Sequence, residues 1–217
     1  MIGMRRQIFI HIITWCCYLF CTQELLAETW QHVRWVEDGD TVVLGDDRHV
    51  RYIGMNAPEI EHQDCRAEPF GYKAKALNKK LVYRQAVRLE FDREQHDQYG
   101  RLLAYVFLKD GTFVNANLVF NGYAFYLFRK PNLKYDSILR KSQQDAMSAG
   151  QGIWQNWREQ NATYFGNKRS RRFHLPSCPF AKKISARNRI VFSRKWDAFW
   201  AGYAPAKKCV TQWWGAE

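Results

Sequence analysis

Apolar and polar positions first alternate along the chain and then shift to helical spacing. From Thr29 the pattern alternates loosely and ends on Val33, Trp35 and Val36, which predicts a first strand. Val42 to Leu44 and Val50 to Ile53 are short apolar runs on either side of the polar turn Gly45-Asp46-Asp47-Arg48, a hairpin signature. Residues 60–68 are polar and irregular and read as a loop. From Pro69 to Val82, Phe70, Ala74, Leu77 and Leu81 recur at helical spacing, with Lys73, Lys75, Lys79 and Lys80 elsewhere on the surface. Val87, Leu89 and Phe91 alternate with Arg88 and Glu90, another strand, and Leu102 to Leu108 is apolar throughout, a strand buried on both faces. Val114, Leu118 and Val119 predict a helix over Phe113 to Phe120 that Gly122 ends. Tyr123 to Phe128 is an aromatic run of no clear period, broken by Pro131. Tyr135 to Met147 is amphipathic, with Tyr135, Ile138, Leu139 and Met147 on one side.

The order is three strands, a helix, two strands and two helices. It fits a mainly β protein with helices, a five-stranded OB-fold barrel plus three helices. Residues 155–168 read as a polar linker. The texture beyond them is basic and tryptophan-rich, which predicts a small α/β unit at the C-terminus. The expected divisions are 1–27, 28–158 and 159–217.

Residues 1–27 stand apart. Arg5 and Arg6 precede an apolar run from Ile8 to Cys21, and Ala27 closes it, the pattern of a secretory signal peptide. The run is short for a span of about 20 residues. Leu25 is bulky for a cleavage motif, so an uncleaved anchor is the alternative. Either reading implies a secreted or periplasmic protein. Of the six cysteines, Cys65, Cys178 and Cys209 lie beyond this segment, allowing one internal disulfide and leaving one thiol over.

Charge narrows the choice of partner. Lys and Arg number 33 against 21 Asp and Glu, a formal net charge of +12 that favours a polyanion such as nucleic acid. It argues against a barrel that serves mainly as a protein-interaction module.

The candidate chemistry lies around the hairpin. Asp38, Asp40, Asn56 and Glu59 offer oxygen donors, and Arg51 lies among them. The hairpin brings Asp40, at the entry to one strand, near Asn56 at the exit from the next. Taken alone, such a hairpin is more often a solvated turn. Tyr99-Gly100-Arg101 precedes the buried strand, and if the barrel closes, Arg101 comes beside the hairpin as a second guanidinium for the same pocket. Oxygen ligands, two arginines and a spare carboxylate suit phosphodiester hydrolysis: a hard cation polarises the phosphoryl oxygen, the arginines offset developing charge, and Glu59 takes a proton from water.

EDGDTVVL, RYIGMNAPE, DQYGRLLAYVF, DGTFVNANLV and the stretch from KPN to GQGIW follow in an order and spacing that resembles the staphylococcal nuclease family over about residues 30–155. The resemblance implies an OB-fold barrel and Ca²⁺-dependent hydrolysis of DNA and RNA, with Mg²⁺ as a second candidate ion. It matches Asp40 and Asn56 to calcium ligands, Ala57 to a ligand through its carbonyl, and Glu59 to the general base. It matches Arg51 and Arg101 to the phosphate-binding arginines, Tyr99 to a substrate contact, and Asp38 to an acidic position near the ion. Asn56 departs from the family's Asp, removing one negative charge. The aromatic pair that stacks on the base falls near Tyr126–Lys130, where Phe128 is the best candidate and Phe125 and Tyr126 suit a core.

The segment FHLPSCPF to KKC resembles a small zinc-binding domain of bacterial alkylation-repair sensors, also found appended to nucleases of this family. His174, Cys178 and Cys209 match three ligand positions, and Ala206 stands at the fourth. Three ligands leave a structural zinc site open. A Cys178–Cys209 disulfide is the rival reading. The whole therefore reads as a monomeric endonuclease acting on DNA and RNA, with no stable protein partner implied. The alternative is a nucleic-acid-binding barrel without catalysis, which would have no use for Glu59.

Overall fold

The structure, a computed structural model, describes residues 29–62, 66–159, 162–211 and 213–214. Residues 1–27, expected to be a signal peptide, and Cys65 lie outside them. Among the described residues no helix is long and apolar enough to cross a membrane.

Five strands close into a barrel in the order β1-β2-β3-β6-β5: β1 Trp30–Val36, β2 Thr41–Leu44, β3 His49–Tyr52, β5 Ala86–Glu90 and β6 Leu102–Leu108. This is the expected OB-type barrel. β1 serves two neighbours. Its first half pairs with β5 and its second with β2, and the register shifts between Val33 and Trp35, which turns one strand around a corner. β3 and β6 run parallel, the other barrel pairs antiparallel. A two-stranded ribbon, β4 Met55–Asn56 with β7 Phe125–Tyr126, lies beside the barrel. Three helices complete this part: α1 Gly71–Val82, α2 Val114–Phe120 and α3 Asp136–Ser148. α2 starts one residue later than its spacing suggests because Phe113 is still extended. The ribbon accounts for the aromatic run without a period: Phe125 and Tyr126 are both buried, one against the C-terminal core and one against the barrel.

Beyond residue 156 a four-stranded sheet runs in the order β10-β8-β9-β11. It comprises β8 Tyr164–Asn167, β9 Arg172–His174, β10 Arg189–Phe192 and β11 Ala204–Pro205, with short helices α4 Pro179–Lys182 and α5 Lys195–Trp200. β8 falls inside the stretch expected to be a linker. Its two inward positions are Tyr164 and Gly166, so the alternation is masked by a glycine. A Cβ on Gly166 would stand 2.6 Å from Ile190 and 2.7 Å from Phe192, so the packing needs the bare position.

Two hydrophobic cores result. The first fills the barrel, with Val42, Leu44, Val50, Tyr52 and Val106 among its buried residues. The second is shared. Phe125, Met147, Ile153 and Trp154 pack with Phe173, Phe199 and Trp213 from the C-terminal sheet and its flanks. Ring centroids lie 4.8 Å apart for Phe125–Trp213 and 5.0 Å for Trp154–Phe199. Gln143 on α3 adds a buried polar tie. It accepts from Tyr126 N at 2.7 Å and donates to Phe199 O at 2.6 Å.

One buried side chain fixes the exit from β3. Asn115, fully buried on α2, accepts from Val106 N at 3.0 Å and donates to Ile53 O at 3.0 Å. Replacing it leaves a donor and an acceptor unpaired inside the barrel. Asn115→Leu is expected to cost about 3 kcal/mol, since each orphaned buried group costs roughly 1–3 kcal/mol. Urea unfolding of the full chain checks this, and an unchanged midpoint would contradict it.

Candidate active site

The site begins with two tight turns. Between Asp38 and Asp40, a Cβ on Gly39 would stand 2.5 Å from the Cβ of Ala57, so the glycine lets two segments of the site lie against each other. Asp38 Oδ1 accepts from Asp40 N at 2.8 Å, which fixes the bend. After β3 the chain reverses at Gly54, whose φ of 76° favours glycine, and where a Cβ would meet Leu139 of α3 at 2.4 Å. This reversal sends Met55 and Asn56 back along β7 and carries Asn56 toward Asp40.

Arg51 occupies the centre. Thr41 on β2 is paired with Arg51 on β3, so the arginine projects beside Asp40. Its Nη2 lies 3.0 Å from Asp40 Oδ2 and 3.0 Å from Asn56 Oδ1. Its Nη1 donates to the carbonyls of Tyr52 at 2.8 Å and Met55 at 3.1 Å. One largely buried guanidinium therefore ties the acid, the amide and the intervening turn. Asp40 Oδ2 also accepts from Ala57 N at 2.7 Å, and Thr41 Oγ1 lies 3.1 Å from Asp40 Oδ1.

Burial drives the Asp40 carboxyl up to about 7, reinforced by the charges of Asp38 and Glu59 and opposed by Arg51. The site's donors are carboxylate, amide and carbonyl oxygens, the chemistry that holds a hard divalent cation. Two of them already carry one hydrogen bond each: Asn56 Oδ1 from Arg51, and Ala57 O from Asn56 Nδ2 at 2.8 Å. A carbonyl-type oxygen has a second lone pair, so both remain competent as ligands. Asp40, Asn56 and Ala57 fit such an ion.

Glu59 follows on an irregular stretch. Its N–H donates to Glu68 Oε2 at 2.9 Å. Its carboxylate meets Lys207, whose Nζ lies 2.8 Å from Glu59 Oε1 and 3.4 Å from Glu68 Oε2. Trp213 Nε1 donates to the other oxygen of Glu68 at 3.0 Å. No sequence signal pointed to Lys207, which is one of many basic residues in the C-terminal segment. Nothing in the spacing marked Glu68 either.

Arg101 is placed differently from Arg51. β3 pairs with β6 so that Arg51 faces Leu103, which puts Arg101 on the same side, two residues back along the strand direction. Asp97 holds it through Arg101 Nε at 2.8 Å and Nη2 at 2.7 Å. Partial burial raises the Asp97 carboxyl, but the bonds from Arg101 and from the Tyr99 and Arg101 amides outweigh it and hold Asp97 below the usual carboxylate range. Among the described residues no hydrogen bond joins Arg101 to Asp40, Asn56 or Glu59. Arg101 lines its own recess of about 460 Å³ with Arg48, His49 and Tyr99. Tyr99 is strongly exposed, its ring 5.6 Å from the Arg101 guanidinium.

Phe128 is half-buried against the barrel core, and the Arg171 guanidinium stands 4.8 Å from its ring. Arg172 Nη1 lies 3.3 Å from Phe128 O. A cleft of about 340 Å³ opens beside Asn56 and is lined by Leu127, Arg172, Phe180 and Lys207 among others. Of these, Leu127 and Phe180 were not singled out by the sequence.

At the C-terminal site, the donor atoms of His174, Cys178 and Cys209 lie within 4.8 Å of one another. The two cysteines are joined in a disulfide with Cα atoms 5.7 Å apart, and His174 Nδ1 lies 3.4 Å from Cys178 Sγ. Burial and the nearby Arg172 charge hold the imidazole below its usual range. A zinc ion requires thiolates, so it and this disulfide are alternatives.

Residues 49–156 match the family described as Staphylococcal nuclease homologue. A thermonuclease of Staphylococcus intermedius is 40% identical over 126 residues, which are 57% of this chain and 74% of that protein. A thermonuclease of Staphylococcus hyicus is 36% identical over 132 residues, 59% of this chain and 77% of that protein. Endonuclease YncB of Bacillus subtilis is 38% identical over 123 residues, 54% of this chain and 57% of that protein. The matched stretch contains β3, Arg51, Asn56, Ala57, Glu59 and Arg101, and with 74% of a thermonuclease covered at 40% identity, this chain belongs to the staphylococcal nuclease family.

Proposed function

We propose that this nuclease is a divalent-metal-dependent endonuclease, calcium being the preferred ion, that hydrolyses phosphodiester bonds of DNA and RNA. We propose further that it acts outside the cytoplasm, as residues 1–27 indicate by their charge and hydropathy pattern. The observation that supports the reading best is the cluster of Asp40, Asn56 and the Ala57 carbonyl around Arg51, with the Glu59 carboxylate on the next turn. The excess of basic over acidic residues suits a polyanionic substrate.

In this reading Asp40, Asn56 and the Ala57 carbonyl hold the cation. When bound, the ion supplies Lewis acidity at a phosphoryl oxygen. Arg51 reaches the equatorial oxygens from one side and Arg101 from the other, each offsetting charge that grows in the transition state. Tyr99 and Phe128 flank the substrate. Glu59 accepts a proton from water as the new P–O bond forms. The ester P–O bond breaks, and the leaving oxygen is protonated from solvent. A barrel that only bound nucleic acid would use the arginines and have no role for Glu59.

Glu59→Gln separates these readings because it keeps size and polarity while removing the base. Turnover of a DNA oligonucleotide is expected to fall by about 10²- to 10⁴-fold, the usual contribution of a positioned base. DNA retention in a gel shift should persist. Turnover at the wild-type rate would contradict the assignment of Glu59. Asn56→Asp tests the ion site. One added negative charge beside a divalent ion is expected to lower the calcium concentration for half-maximal activity about tenfold. An unchanged calcium dependence would show that residue 56 is not a ligand.

A further inference from the structure

Lys207 lies well outside residues 49–156, yet its ammonium is 2.8 Å from Glu59 Oε1. We propose that Lys207 is a positioning residue of the hydrolytic site, by which the C-terminal segment holds the proton-accepting carboxylate of Glu59 in place. The inference rests on the assignment of Glu59 as the general base.

The carboxylate needs an external hold. Glu59 sits on an irregular stretch after the short β4, not on a barrel strand. Its backbone is tied to Glu68, but among the described residues Lys207 is the only hydrogen-bond partner of its side chain. A carboxylate on such a segment otherwise samples several rotamers, and a base must lie within hydrogen-bond reach of the water it deprotonates.

Lys207 is itself well anchored. The residues just before it belong to the sheet, with Pro205 paired to Phe173 and Ala206 N bonded to Phe173 O at 2.9 Å. The turn that carries it closes through Cys209 N to Ala206 O at 2.8 Å, and Cys209 is bonded to Cys178. Glu68 steadies the ammonium at 3.4 Å and is held in turn by Trp213, which is buried in the second core. The chain of contacts runs from a packed aromatic core to one oxygen of the base and leaves Glu59 Oε2 available for the proton.

A purely stabilising role explains this pair poorly. The Lys207 and Glu59 side chains are 36% and 41% exposed, and ion pairs so accessible to water add little stability. The shared aromatic core already joins the C-terminal segment to α3 and β7. The same exposure leaves the pair reachable by water and substrate, as an acting base requires.

Steady-state kinetics of the full chain on a DNA oligonucleotide, at saturating calcium, provide the test. Lys207→Met is expected to lower kcat ~10- to 100-fold with KM changed less than about twofold, the signature of a misplaced catalytic group. Lys207→Arg, which retains the charge and a donor, should restore most of kcat. In a Glu59→Gln background, Lys207→Met should add nothing. Thermal unfolding reports whether each variant folds, and Lys207→Gln replaces the Met variant if that one loses its transition. A kcat at or above the wild-type value in the Met variant would overturn the proposal. So would a rise in KM alone, which would make Lys207 a substrate contact. If Glu59→Gln itself keeps wild-type turnover, or if the unaltered chain is inactive, the base assignment has failed and the positioning role with it.

Discussion

The Arg51 guanidinium is the contact on which the site depends. It sits where two strands pair and donates to the Asp40 carboxylate, the Asn56 amide and two carbonyls of the intervening turn. Its two Nη groups find partners in this way, and any one acceptor removed leaves the charge short of a partner. The shape of the Tyr52–Asn56 turn and the meeting of Asp40 with Ala57 both follow from this arrangement. The same contacts also limit the site. Asn56 faces Arg51 through its oxygen and Ala57 through its nitrogen, so the amide is oriented by its neighbours before any cation arrives.

Around that centre the fold distributes charge unevenly. Burial drives the Asp40 carboxyl up to about 7 against the pull of Arg51, and the charges of Asp38 and Glu59 add to the rise. Lys207 comes from the C-terminal segment, and Arg172 and Arg171 from the same segment stand by the cleft and by Phe128. The C-terminal sheet shares its core with α3 and β7, so these cations are carried on a body packed against elements of the nuclease part.

The barrel was legible because its strands follow simple rules. Apolar runs such as Leu102–Leu108 and the alternation at Val87, Leu89 and Phe91 are set by which face is buried. The parts of the site close in sequence were legible for the same reason: Asp40, Arg51, Asn56 and Glu59 belong to one hairpin and its exit. Arg101 was legible in register, whereas the Asp97 carboxylate that holds its guanidinium was not marked by any spacing. β8 escaped because Gly166 stands where an apolar residue would have completed the alternation. Lys207 and Glu68 escaped for a stronger reason. Their meeting depends on how a second core docks the C-terminal sheet, and no local pattern encodes a contact across so many residues.

The central claim is that the Asp40–Asn56–Ala57 cluster binds a cation that supports phosphodiester cleavage. Incubating the full chain with plasmid DNA and with RNA, in calcium, in magnesium and in chelator, tests it most directly. Calcium is expected to support cleavage of both polymers and chelator to abolish it. Undiminished cleavage in chelator, or no cleavage in either ion by a chain that still retains DNA, would contradict the claim.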